Sequence, residues 1–157
     1  MSRWVVRAAG LLPAVWLGVL LCVALIATPA GFAILPRNQA GALAGRILGQ
    51  EAYLSLVMGV LVLVVERWLV RRRAPAQTSA TGSQITPGML MALGTLFCTV
   101  LGYFVLQGPM ASARLGQGAF SFAQLHGLSL VTYGIKVVLV AGLAWRGAGG
   151  RAAITSS

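Results

Sequence analysis

Four long apolar runs, near residues 10–32, 47–69, 88–106 and 122–145, constrain this chain more than anything else in it. Each is about 20 residues long, which at about 1.5 Å per helical residue matches a hydrocarbon core about 30 Å thick. Backbone N–H and C=O groups find no water in lipid, so each run has to be helical. The expected fold is all-α, an antiparallel four-helix transmembrane bundle with both termini cytoplasmic. Hydrophobic residues make up 58% of the 157 and charged residues 9%, a balance that a soluble domain of this size could not bury. Residues 1–157 are read as a single integral membrane domain, with no second folded unit.

The net charge of +10 would point to nucleic acid in a soluble protein, but here the basic residues cluster at the ends of the runs. Arg3, Arg7, Arg67, Arg71, Arg72, Arg73, Arg146 and Arg151 fall on one side and only Arg37, Arg46 and Arg114 on the other. The positive-inside rule then puts both termini and the 70–87 connection in the cytoplasm. The expected partner is the lipid bilayer, not nucleic acid. Arg3 and Arg7 before an apolar run also resemble a signal peptide, yet the run from Ala8 to Ala27 exceeds the roughly 7–15 residues of a secretory segment and reads as a retained span.

Between the spans, Asn38 after Pro36 is the expected cap of the second helix. The uncharged segment 74–86 and the tail 147–157 are small and polar, and both are expected to be flexible. Small residues recur four apart, with Gly18 in the first run, Gly41, Gly45 and Gly49 at the second, and Gly94 and Gly102 in the third. Such stripes let helix backbones approach closely in lipid, so these glycines are the expected helix-packing positions. The exposed start of the second helix leaves room for a homodimer or a larger membrane complex.

Ionisable groups inside a membrane are costly and mark candidate sites. Counting back from Trp68 and Trp145 as markers of one interface puts Glu51 about 26 Å and His126 about 29 Å away, in the same outer layer. Tyr103 reaches that layer on the third helix. On the fourth, His126, Ser129, Tyr133 and Lys136 are spaced by three, four and three and share one face. Lys136 lies about 14 Å from Trp145, with its ammonium leaning outward toward Tyr133 and His126. Glu51, Tyr103, His126, Ser129, Tyr133 and Lys136 are thus the candidate lining of a polar outer-leaflet pocket. The simpler alternative is an internal clamp in which Glu51 pairs with His126 or Arg46. Glu66, beside Arg67, reads as a solvated flank.

Little else suggests chemistry. Cys22 and Cys98 both lie within spans and read as small apolar residues rather than as a disulfide. With two carboxylates and one histidine, no hydrolytic triad, zinc motif or bis-histidine haem can be assembled from one chain. No metal, cofactor or catalytic residue is expected.

The stretch Thr28-Pro29-Ala30-Gly31-Phe32-Ala33-Ile34-Leu35-Pro36, then Ala40 to Arg46 and Glu51-Ala52-Tyr53, resembles the first half of a bacterial membrane domain of unknown function related to eukaryotic transmembrane protein 205. Phe122-Ala123-Gln124-Leu125-His126-Gly127-Leu128-Ser129 resembles the FxxLHGxS start of that domain's last helix. The resemblance spans about Leu11 to Trp145 and implies a four-helix membrane protein without an assigned reaction. It extends to His126, Gly127, Ser129 and the region of Pro29 and Gly45. Tyr133 stands where the eukaryotic pattern carries Asn, and Lys136 replaces an apolar residue.

Three functions remain open at this point. The first is a non-enzymatic structural or interaction subunit of the inner membrane. The second is a small transporter or permeation subunit for a cation, proton or small amphiphile that uses Glu51 and His126. The third is a copper-handling or redox membrane protein, since the layout and outer histidine resemble copper-resistance membrane domains.

Overall fold

A computed structural model describes residues 3–73 and 85–155 of the chain, with side chains at 9–71 and 85–149. The described residues are helical, without strands, and contain four helices long and apolar enough to cross a membrane. Helix α1 comprises Arg3–Cys22, a π-helical turn Val23–Ala27, and Thr28–Ile34. Helix α2 is Arg37–Arg73. Helix α3 comprises Pro87–Thr99, a π-helical stretch Val100–Val105, and Leu106–Arg114. Helix α4 is Phe122–Thr155.

Both π-helical stretches have a cause in the sequence. A proline ring clashes with the carbonyl four residues back and leaves it without a donor. For Pro29 that residue is Leu25, inside Val23–Ala27, and for Pro109 it is Val105, at the end of Val100–Val105. Widening the helix there accommodates the ring without breaking the span.

The connections on either side of α2 and α3 carry identifiable start and stop signals where they are described. Leu35 is extended, as the residue before Pro36 must be, and the Pro36 carbonyl accepts from Ala40 N at 2.9 Å. The second helix therefore starts at Arg37, and Asn38 lies inside its first turn instead of capping it. Thr86 caps α3 by accepting from Met89 N at 3.2 Å, with Pro87 in the first helical position. Gly116 and Gly118 take positive φ in the turn before α4. Ser121 and Gln124 then form a reciprocal capping box, with Gln124 N donating to Ser121 Oγ and Ser121 N to Gln124 Oε1. The 74–84 part of the connection expected to be flexible lies outside the described residues. The tail expected to be flexible from Gly147 is instead helical to Thr155, despite the low helix propensity of its glycines.

The helices form a closed ring in which α1 meets α2 and α4, and α3 meets α2 and α4. Along the diagonal, no Cα of α2 comes within 8 Å of one in α4. Between them lies the apolar core of Trp16, Leu20, Val62, Ala92, Val140 and Leu143. Large apolar side chains such as Leu25, Phe97 and Val138 face outward, which suits a surface solvated by acyl chains rather than water.

The glycines divide into two groups. A Cβ on Gly49, Gly94 or Gly102 would strike Tyr103, Leu139 or Thr132, so these three are close-approach positions. Gly18, Gly41 and Gly45 have nothing within 4 Å of a Cβ, so among the described residues no close approach depends on them. At Gly147, by contrast, a Cβ would lie 2.7 Å from Gly10 Cα, so there the backbones of α1 and α4 come close.

Candidate functional site

Across the bundle diagonal, where α2 and α4 make no backbone contact, two long side chains meet. Lys136 Nζ donates to Glu51 Oε1 at 2.8 Å and to Oε2 at 2.9 Å, with the two residues 3% and 4% exposed. Ser55, one helical turn after Glu51, donates to Glu51 Oε1 and accepts from Trp16 Nε1 at 3.0 Å. The ammonium also lies over the Tyr133 ring, 4.6 Å from its centroid. An unpaired charge here would be prohibitive, whereas a paired and hydrogen-bonded one is tolerable. Among the described residues no buried side-chain polar atom lacks a partner.

The face that carries Lys136 reaches every other helix. Ser129 Oγ donates to the Gly102 carbonyl of α3 at 3.0 Å, within the π-helical stretch. Tyr133 Oη donates to the Leu20 carbonyl of α1 at 2.9 Å, in the turn leading into the other π-helical segment. Lys136 reaches α2. One polar stripe, at i, i+4 and i+7, thus bonds three helices in succession.

Beside the ion pair is a cavity of about 40 Å³ lined by Glu51, Tyr103, Ser129, Thr132, Tyr133 and Lys136, together with Leu48, Cys98, Thr99 and Gly102. Tyr103 lies against Gly49, where its hydroxyl occupies the space a Cβ would need. Five of the six residues expected to share a pocket therefore do so. The sixth, His126, is exposed and stacks on Phe122, ring centroids 5.6 Å apart, with Arg114 on that ring at 4.9 Å. Glu51 pairs with Lys136 and with neither His126 nor Arg46. Lys136 rather than His126 is therefore the α4 residue within reach of Glu51, its stem leaning toward the helix N-terminus.

Three further residues matter: Ser55 and Trp16, which the sequence reading passed over, and Glu66, which it placed on a solvated flank. Ser55 follows Glu51 by four and so shares its face. Trp16 sits deep in a span rather than in an interfacial belt, and a buried indole N–H requires an acceptor. Glu66 is half-buried and not a solvated flank, since its carboxylate lies against Gly88 at the start of α3 and accepts from Thr86 Oγ1 at 3.4 Å. A carboxylate there complements the positive end of the helix dipole. Cys22 and Cys98 are unpaired, and among the described residues no three His, Cys, Asp or Glu side chains gather.

No curated protein and no solved structure matches the chain. A family model described as "Domain of unknown function (DUF4149)" matches residues 11–119, which takes in Trp16, Glu51, Ser55 and Tyr103 and ends before α4. The chain belongs to the DUF4149 family of domains of unknown function.

Proposed function

We propose that the chain is a non-enzymatic, multi-pass inner-membrane protein acting as a structural or interaction subunit, whose last helix tethers the other three. The observation that carries this reading is the Lys136–Glu51 pair, buried, doubly hydrogen-bonded and stretched across a diagonal where no backbone contact exists. A site built to bind a charged substrate would keep its own charge unpaired, but here the charges satisfy each other. The antiparallel bundle is supported by contacts whose numbers run in opposite senses, Gly10 with Gly147 and Leu20 with Tyr133, Gly59 with Leu96 and Gly88 with Glu66. Cytoplasmic termini rest on the arginine distribution. Kinship with eukaryotic transmembrane protein 205 rests on the two sequence patches given above. A homodimer through Gly41 and Gly45 is supported by the open space over both.

Proton or cation permeation is the second reading, favoured by the polar cavity beside the pair. Proteoliposome flux separates the two. A permeation subunit conducts and loses flux with Glu51→Gln while its fold persists, whereas a tether shows no flux and loses thermal stability with the same substitution.

A further inference from the structure

The cavity next to the pair has an unusual hydrogen-bond character. Ser129 spends its hydrogen on Gly102 O, Thr132 on Ser129 O, Thr99 on Thr95 O and Tyr133 on Leu20 O. A hydroxyl whose hydrogen is committed offers only lone pairs, and the Glu51 carboxylate offers only lone pairs as well. Lys136 directs its ammonium to Glu51 and, at 3.5 Å, to Ser55. Apart from the Tyr103 hydroxyl and the Cys98 thiol, a weak donor, the lining is therefore rich in acceptors and poor in donors, which suits a guest that donates hydrogen bonds and repels an anion.

Geometry sets the size and the direction of access. A cavity of about 40 Å³ exceeds the roughly 10–15 Å³ that one water requires. On one side it ends at Tyr103, whose hydroxyl lies over Gly49 and makes no hydrogen bond among the described residues. On the other side, one to two turns beyond Lys136 on α4 and beyond Ser55 on α2, lie Val140, Leu143 and Val62 of the apolar core. That layer offers water no partner.

We infer that this cavity is a water site, holding about two molecules, reached only from the Tyr103 end of the bundle, with Tyr103 as its lid. Bound water donates to the acceptors around the pair and so reduces the cost of keeping two charges inside a lipid-embedded bundle.

Cys98 lines the cavity and is the natural reporter. With Cys22→Ser it becomes the single thiol of the full chain, and its labelling is measured in vesicles of each orientation. The reagents are membrane-impermeant methanethiosulfonates bearing an ammonium or a sulfonate group, with rates normalised to free cysteine. Tyr103→Ala is expected to speed labelling about tenfold or more, because thiol reactivity follows access. The gain should appear only with reagent at the Tyr103 end, and the ammonium reagent should outpace the sulfonate. Tyr103→Phe keeps the ring and should leave the rate unchanged. If Tyr103→Ala does not fold, Gly49→Ala displaces the hydroxyl while retaining the ring and should accelerate labelling from the same end. No acceleration in a folded variant, equal acceleration from both ends, or faster reaction with the sulfonate overturns the inference. The tether reading is untouched by these outcomes, since it is decided by thermodynamic coupling.

Discussion

Removing one charge of the Lys136–Glu51 pair is the most direct perturbation. Lys136→Met keeps an unbranched stem of similar length but deletes donors at 2.8 and 2.9 Å, leaving a carboxylate that is 4% exposed with Ser55 as its remaining donor. Orphaning one member of a buried ion pair costs about 3–5 kcal/mol. At about 2–4 °C per kcal/mol for a chain of this size, the midpoint of thermal unfolding should fall by roughly 6–20 °C. The double variant Lys136→Met with Glu51→Leu leaves no charge behind and should lie within about 1–2 kcal/mol of the parent, as apolar replacements of buried pairs commonly do. Circular dichroism of purified protein in detergent, run on parent, both single variants and the double, yields the coupling energy. A value of at least about 4 kcal/mol is expected if the two residues act as one unit, since each single variant orphans a charge and the double orphans none. Single variants within about 1 kcal/mol of the parent, or a double variant that costs the sum of the singles, would falsify the claim that this pair links α2 to α4.

Tyr133→Phe removes the bond to Leu20 O and Ser129→Ala the bond to Gly102 O, each expected to cost about 1 kcal/mol in the same unfolding assay. Gly102→Ala drives a Cβ to 2.5 Å from Thr132 Oγ1 and should destabilise by about 1–3 kcal/mol. Gly41→Ala meets nothing within 4 Å and should gain about 0.4–1 kcal/mol through helix propensity, a difference in sign that calorimetry resolves. Gly45→Leu should leave the monomer's melting behaviour intact, and size-exclusion chromatography in detergent will show a smaller species if Gly45 lies in a homodimer contact. His126→Ala should shift the melting midpoint by no more than the loss of one exposed ring stack, about 1 kcal/mol or less.

Much of the architecture was legible in the residues because lipid imposes a local demand. A span must satisfy its own backbone and present apolar side chains over a fixed length, so the four helices could be located by counting. The polar stripe on α4 was equally visible, since Ser129, Tyr133 and Lys136 share a face by helix geometry alone. Pro29 and Pro109 mark two places where a helix has to adjust, but their sequence positions do not say how, since Pro13 sits in regular α-helix.

What each polar group touches was decided only by the tertiary structure. The partner of Glu51 depends on how far one helix slides past another and how each rotates about its axis, and these are set by close packing across the ring rather than by any one segment. Lys136 and not His126 is level with Glu51, and Gly147 rather than Gly18 lies against a neighbouring backbone. A single helix carries its length and its polar face in its own residues, whereas relative height and rotation exist only once four helices have packed.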